Sequence, residues 1–421
     1  MLNTQVPGIF QCQIYHLSNG LRVILSRQDD LPVLTSVMLY PVGLRQEKAN
    51  QRGISHFIEH MLFKGTEHFG KGEIDRISLQ CGGSNNAYTS LDATVYTINV
   101  PAEYCELVLK IEADRMCNPL FHPEEVEAER EVILEEWRTA EDDPDDAFWQ
   151  KITHLAMGEH PYAHPVLGYE ADIRQLSDED LKVFFKTYYQ PQLATLILVG
   201  HLPDNVESLI HKHFGNIPRG NTSPQQLTTV LPTPSVSQRL VEHREGVNTP
   251  RLVMSWPAPA FHDADYFAFL VLQYILTEGW SSQLHALWVE EAQIASQVSS
   301  FIFESQAPYL FGIEIETLQN EGLLALEQLF AQELRSLRIH EKDLHKAKIQ
   351  LMTDLFLQQE TTEQRAEFIA DCFAAGNETV FQNYLPTLQG VTLQQVNALF
   401  SDYLSPQKQL TAWLLPMDAK L

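Results

Sequence analysis

Hydrophobic and polar positions alternate with two different periods along this 421-residue chain. Short runs rich in apolar and β-branched residues predict strands at 21–25, 36–40 and 93–100. Longer segments with apolar residues at helical spacing predict helices at 51–64, 103–117 and 123–140. Because strands and helices are interleaved, the pattern predicts an α+β fold class.

The end of each half of the chain carries the same pattern. Residues 181–200 align without gaps with residues 396–415, so that Pro191 corresponds to Pro406. A helix-start signal precedes each copy, at Ser177 and at Thr392. An amphipathic helix, a proline-containing turn and an apolar strand follow in both copies. The sequence therefore predicts that one α+β unit is present twice.

The segment between the two halves predicts a linker. Residues 217–238 are rich in Pro, Ser, Thr, Asn and Gln and show no apolar periodicity. We therefore expect one domain at 1–216 and a second, homologous domain at 239–421. Two domains of about 200 residues each also agree with the chain length.

The charge balance restricts the classes of partner. The chain has 55 acidic against 29 basic residues and a formal net charge of -26, which disfavours nucleic acid and anionic membranes as partners. It contains no apolar run of about 18 residues and no basic, apolar signal at its start. We therefore expect a soluble, cytoplasmic protein.

Two histidines on one predicted helix are candidate metal ligands. His56 and His60 are four residues apart, so their imidazoles project from one face of the helix and can bind the same ion. Glu59 lies beside them, where a carboxylate can act as a general base without binding the metal. This arrangement is an H-x-x-E-H motif, which predicts a catalytic zinc site.

A catalytic zinc ion needs a third protein ligand. The predicted helix at 123–140 offers Glu129, Glu135 and Glu136, of which Glu129 and Glu136 are seven residues apart and return to nearly the same face. One of these carboxylates could bind the ion while another hydrogen-bonds to a ligand. Helical periodicity does not choose between them, and an exposed acidic helix fits the pattern equally well.

Several segments together resemble the pitrilysin or insulinase family of zinc metallopeptidases, the inverzincins. The matching segments are 56–66, 82–90, 129–136, 160–168 and 189–200. The chain is similar to the shorter members, which include the β subunit of the mitochondrial processing peptidase. The resemblance implies two homologous α/β-sandwich domains of the processing-peptidase-like metallohydrolase type, which together form half of a clamshell.

The resemblance also implies a role for each matching residue. His56, His60 and Glu136 would bind one Zn²⁺ ion per chain, and Glu59 would be the general base. Glu129 would be the carboxylate in the outer shell of the ion. The implied reaction is zinc-assisted hydrolysis of a peptide bond.

The segment at Asn86 and Ala87 resembles the edge strand with which the family binds its substrate. Backbone pairing with such a strand would hold an extended peptide of almost any sequence. Peptide substrates, including basic ones that suit an acidic protein, are therefore expected. A glycine-rich turn that leads into an ordinary strand is the alternative interpretation of this segment.

The second half departs from the family pattern. Many relatives carry an Arg and a Tyr, seven residues apart, which help to bind substrate. Here Trp288 or Val289 stands where Arg is expected, and Ala295 or Ser296 stands where Tyr is expected. We therefore expect a heterodimer in which a homologous partner subunit supplies this pair. The alternative is a homodimeric peptidase that works without it.

The second half also lacks the residues of the zinc motif. The repeat places Val271, Tyr274 and Ile275 where the first half has His56, Glu59 and His60. We predict a buried core helix there. The leading hypothesis is a zinc endopeptidase subunit that acts on oligopeptides or unfolded segments. Its rival is a non-catalytic structural or peptide-holding subunit similar to the core proteins of respiratory complexes.

Overall fold

The computed structural model describes residues 4–6, 11–221, 237–376 and 378–420, so most of the predicted linker lies outside the described residues. The strands are β1 Thr4–Val6, β2 Cys12–His16, β3 Arg22–Arg27, β4 Val33–Tyr40, β5 Ser84–Thr89, β6 Thr94–Pro101, β7 Thr195–Gly200, β8 Gln238–His243, β9 Arg251–Ala258, β10 Ala295–Ile302, β11 Tyr309–Thr317 and β12 Leu410–Leu415. The helices are α1 Ile54–Met61, α2 Glu73–Gln80, α3 Cys105–Cys117, α4 Pro123–Asp142, α5 Pro144–Met157, α6 Glu170–Gln175, α7 Asp178–Tyr188, α8 Val206–Phe214, α9 Tyr266–Leu276, α10 Leu323–Ser336, α11 Glu341–Leu357, α12 Thr362–Ala375, α13 Glu378–Gly390 and α14 Leu393–Asp402.

The chain folds into two compact units. The first contains Met1–Thr139, His164–Thr228 and Gln358–Gln382, and the second contains Ala140–Ala163, Thr229–Leu357 and Asn383–Leu421. Each unit combines helices with one sheet, which confirms the predicted fold class of two α+β domains. The units are not continuous in sequence, since α12 belongs to the first unit and α5 to the second.

The sheet of the first unit has the strand order β1-β2-β3-β7-β4-β6-β5. Strand β7 is parallel to β3 and antiparallel to β4. Every residue of β7 is buried, because it is a central strand covered on both faces. Strand β5 lies at the end of the sheet, so its outer edge is unpaired among the strands that the structure describes.

The two faces of β4 pack against different helices. Met38 and Tyr40 join the apolar cluster that contains Phe57 and Ile58 of α1. Thr35 lies three positions before Met38 on the same strand. Its hydroxyl donates a hydrogen bond of 2.8 Å to Thr362 of α12. Since successive side chains of a strand point to opposite faces, α1 and α12 cover opposite faces of the sheet.

The sheet of the second unit repeats the first in a shorter form. Its order is β10-β11-β9-β12-β8, with β12 parallel to β8 and antiparallel to β9. The strands β7 and β12 therefore have equivalent positions. A capping box begins the helix before each of them, at Ser177 for α7 and at Thr392 for α14. The predicted duplication is confirmed down to these helix starts.

Helix α9 occupies the position that α1 has in the first unit. Val271 and Ile275 are buried, and the hydroxyl of Tyr274 donates a hydrogen bond of 2.8 Å to Asp354. The prediction of a core helix in place of the zinc motif is therefore confirmed. Although α9 is strongly apolar, no helix in the described ranges is long and apolar enough to cross a membrane.

Candidate metal centre

A buried carboxylate outside the helix fixes the start of α1. Gly53 precedes the helix with φ 89°, a left-handed conformation that favours glycine. Its N–H donates to Oε2 of Glu47 at 2.8 Å, and the N–H of Ser55 donates to Oε1 at 3.0 Å. Burial raises the pKa of Glu47 to about 7. Glu47 thus caps the helix that carries both histidines, a role that helical periodicity could not reveal.

His56 and His60 meet Glu136 at one point. The ring centroids of the two histidines are 4.5 Å apart. Oε2 of Glu136 lies 3.8 Å from Nε2 of His56 and 3.6 Å from Nε2 of His60. These three residues form the one group of possible metal ligands found among the described residues, with donor atoms within 4.8 Å of one another.

The donor set fits a zinc ion. A tetrahedral ion about 2.1 Å from each ligand would separate the donor atoms by about 3.4 Å, close to the distances between these side chains. Two imidazoles and one carboxylate are also the ligand types of many catalytic zinc sites. Burial lowers the pKa of His56 to about 3, so its ring is neutral and can donate a lone pair.

Glu129 orients His60 from the opposite side of the ring. Its Oε1 lies 2.8 Å from Nδ1 of His60, and its Oε2 lies 2.5 Å from Nζ of Lys64. Burial opposes ionisation of Glu129, but the hydrogen bonds from His60 and Lys64 lower its pKa. The ionised carboxylate therefore accepts the Nδ1 proton, which leaves Nε2 of His60 free for a metal.

The neighbouring Glu135 has a different environment. Its side chain is 73% exposed and forms an ion pair of 2.9 Å with Arg138 on the same helix. Glu129 and Glu136 instead share the face of α4 that approaches α1, as their spacing of two helical turns predicts. The structure therefore groups Glu136, and not Glu135, with the histidines.

Glu59 is held beside the three candidate ligands. Its side chain belongs to α1 and is buried, with 8% of the residue surface exposed. The hydroxyl of Thr89, the last residue of β5, donates a hydrogen bond of 2.6 Å to Oε2 of Glu59. Burial raises the pKa of Glu59, which brings this carboxylate closer to the range useful for proton transfer.

The predicted substrate-binding residues lie in the middle of edge strand β5. Asn86 is paired with Thr97 of β6, and Ala87 with Tyr96. Ala87 packs against the core cluster that contains α1, and Asn85 donates a hydrogen bond of 2.7 Å to Asp75 of α2. The outer edge of β5 is therefore open, and the same strand ends at Thr89, which is hydrogen-bonded to Glu59.

The second unit offers no Arg and Tyr at the expected positions. Trp288 is fully buried in a π-helical segment, His285–Glu291, and packs against Phe330 with ring centroids 4.6 Å apart. Its indole N–H donates a hydrogen bond of 2.6 Å to Glu333. Ala295 is buried at the start of β10. Both residues therefore have packing roles in the second unit.

The fold and site define a class of protein: a duplicated α+β chain with one candidate metal site in its first unit. Residues 22–170 match the family described as insulinase (peptidase family M16). Residues 175–351 match the region described as the peptidase M16 inactive domain. The chain belongs to peptidase family M16, as the resemblance of its motifs predicts.

Relatives of known name cover most of the chain. The zinc protease PqqE of Helicobacter pylori is 28% identical over 415 residues, which cover 95% of this chain and 92% of that protein. The probable mitochondrial-processing peptidase subunit beta of Schizosaccharomyces pombe is 26% identical over 369 residues, which cover 84% of this chain and 80% of that protein. Members named as zinc proteases thus extend over both units.

Solved structures have the same fold. A protease from Helicobacter pylori superposes with a TM-score of 0.90 at 27% identity and covers 96% of this chain and 99% of that chain. The periplasmic protease PqqL of Escherichia coli, at 18% identity, has a TM-score of 0.83. That match covers 98% of this chain but only 48% of PqqL, so PqqL is about twice as long.

Proposed function

We propose that this chain is the zinc-bearing subunit of an endopeptidase that hydrolyses oligopeptides or unfolded segments. The observation that carries the proposal is the meeting of His56, His60 and Glu136 at one point, with Glu59 buried beside them. A structural subunit needs neither three convergent metal-binding side chains nor a buried carboxylate next to them. The family membership of the chain supports the same conclusion.

Each of these residues would have a separate role in the hydrolysis. A zinc ion, when bound, supplies Lewis acidity that polarises the scissile carbonyl and makes water a better nucleophile. His56, His60 and Glu136 would hold one ion per chain, and Glu129 would keep His60 in the tautomer that binds it. Glu59 would take a proton from the attacking water and deliver it to the leaving amine.

An extended substrate would pair with β5. The open edge of this strand presents unpaired N–H and C=O groups, which bind a peptide backbone without regard to its side chains. Asn86 and Ala87 lie in the middle of the strand, and the strand ends at Thr89 next to Glu59. A peptide added here would run towards the candidate metal site.

The charge near β5 supports a preference for basic peptides. Glu363, Glu367 and Asp371 are spaced four residues apart on α12 and form an acidic row. The two ends of this row contact β5 and the neighbouring strand β6. Glu363 accepts a hydrogen bond of 2.7 Å from Asn99 of β6, and Asp371 accepts one of 3.3 Å from Tyr88 of β5. Alternate side chains of an added strand would face the same side as this row.

A homologous partner would complete the active site. The described residues near Trp288 and Ala295 do not supply the Arg and Tyr of many relatives, so we propose a heterodimer whose partner supplies them. The twofold length of PqqL supports an assembly of two such chains. A homodimeric peptidase and a non-catalytic, peptide-holding subunit are the competing hypotheses.

The proposal is tested by separating metal binding from turnover. Glu59→Gln is expected to keep about one zinc ion per chain but to lower peptide hydrolysis by about 10²–10⁴-fold, because it removes the base and no ligand. His56→Ala is expected to lose both zinc and hydrolysis. Zinc content is measured by elemental analysis, and hydrolysis with a fluorogenic peptide library. A folded wild-type chain that binds no zinc would refute the proposal.

A further inference from the structure

Thr89 joins the substrate strand to the general base. Its hydroxyl donates a hydrogen bond of 2.6 Å to Oε2 of Glu59, and both side chains are at least partly buried. We propose that Thr89 is a positioning residue, which holds the Glu59 carboxylate in the orientation required for proton transfer. This inference rests on the proposed peptidase function and adds a residue to its site.

The geometry suits threonine for this role. Thr89 is paired with Thr94 of β6, so the ladder fixes its backbone. Its β-branched side chain has a restricted χ1 angle, and the hydroxyl therefore has a defined position. The terminal torsion of a glutamate is broad, so the Glu59 carboxylate can rotate unless a neighbour holds one oxygen. Thr89 supplies a donor at 2.6 Å to that oxygen.

The position of Thr89 links binding to catalysis. Ala87 packs towards α1, and Thr89, two residues further along the strand, points to the same face of β5. A peptide that adds to β5 at Asn86 and Ala87 would fix the same strand that holds Glu59. The base would then be aligned by the element that aligns the substrate.

A purely structural role is the alternative, since the same hydrogen bond also ties β5 to α1. Two substitutions separate the roles. Thr89→Val keeps the shape and the β-branch but removes the hydroxyl, and Thr89→Ser keeps the hydroxyl. Both are measured in the full chain with any partner that co-purifies from the native source.

We expect Thr89→Val to lower kcat by about tenfold, a part of the contribution of a general base. KM should change by less than about twofold, because the interaction acts in the transition state and not in substrate binding. Zinc content should be unchanged. Thr89→Ser should restore at least half of the wild-type kcat.

The matched control is Thr94→Val. Thr94 lies directly opposite Thr89, and its hydroxyl donates a hydrogen bond of 2.8 Å to the backbone of Val42, not to Glu59. This variant should lower the thermal midpoint and leave kcat within about twofold. A similar loss of kcat in both variants would indicate a structural role and would overturn the proposal.

A double mutant gives the decisive comparison. In the Glu59→Gln background, Thr89→Val should have no further effect on the residual rate, because the carboxylate that it positions is already absent. An additional tenfold loss would overturn the inference. Wild-type kinetics in Thr89→Val would also overturn it but leave the peptidase function intact. A zinc-loaded wild-type complex without any turnover would overturn both.

Discussion

Glu135 and Glu136 are neighbours on α4 with opposite surroundings, so the pair makes a matched test. Glu136 lies within 3.8 Å of both candidate histidine ligands, whereas Glu135 pairs with Arg138. We expect Glu136→Gln to weaken zinc binding by more than the 10- to 100-fold typical of losing an outer-shell partner. Glu135→Gln should bind zinc like the wild type. Equal zinc affinities after competition with a chelator would contradict the assignment.

The same two residues show how far the sequence could go at this scale. Helical periodicity predicts the shared face of Glu129 and Glu136, and His60 does contact Glu129 at 2.8 Å. It could not choose between Glu136 and Glu135, because the spacing tells which carboxylates share a face but not which face of the helix meets the histidines. The resemblance to the family supplied that choice. Lys64 and Thr89 were missed, since their contacts with Glu129 and Glu59 depend on the tertiary fold.

At the scale of the element, the cap of α1 carries a testable consequence. Glu47 accepts hydrogen bonds from the N–H groups of Gly53 and Ser55, which have no partner inside the helix. Glu47→Ala should lower the free energy of unfolding by about 2 kcal/mol. It should also weaken zinc binding, because His56 lies on the first turn of α1. The exposed Glu103→Ala serves as control and should change stability by less than about 0.5 kcal/mol.

The contact between α12 and β5 predicts a pH dependence. Burial raises the pKa of Asp371 from 3.8 to about 6, so the folded state holds its proton more tightly than the unfolded state. The stability contributed by this group is therefore present below pH 3.8 and is lost as pH rises through 6. Asp371→Asn should match the wild type near pH 4 and be more stable above pH 7, by up to about 3 kcal/mol. The free energy of unfolding of both proteins is measured with urea at several pH values. A difference between them that stays the same from pH 4 to pH 7 would contradict the expectation.

Elements with strong local signals could be predicted from the sequence. The helix expected at 123–140 is Pro123–Asp142, and the strand expected at 93–100 is Thr94–Pro101. The helix expected at 51–64 is shorter, Ile54–Met61, because the left-handed Gly53 and the distant Glu47 decide where it begins. The packing of α12 on the first sheet had no signal, since its partner strands lie more than 150 residues earlier in the sequence.

At the scale of the whole molecule, the structure locates a small part of the acidic excess, which composition alone could not do. The formal charge of -26 would be compatible with an evenly acidic surface. The row of Glu363, Glu367 and Asp371 places acidic groups beside β5 and its neighbour β6, where Glu363 contacts Asn99 and Asp371 contacts Tyr88. Burial, together with Glu363 and Asp371, raises the pKa of Glu367, as expected for close carboxylates. The sequence gives no comparable information about the proposed partner subunit, because the residues of that partner would belong to another chain.

The need for a partner is therefore the prediction with the largest consequence. Loss of one oxyanion-stabilising donor in a peptidase costs about 10²–10³-fold in kcat. The zinc-loaded chain alone should thus be slower, by about 100-fold or more, than its complex with a homologous subunit that carries Arg and Tyr. Co-purification from the native source, followed by peptidase assays of the separate and mixed chains, measures this difference. The same complex assembled with Glu59→Gln should hydrolyse peptides about 10²–10⁴-fold more slowly, a result that would place the hydrolysis in this chain. Full activity of the isolated chain, or of a homodimer, would instead mean that the active site works without the Arg and Tyr pair, whose expected positions Trp288 and Ala295 occupy.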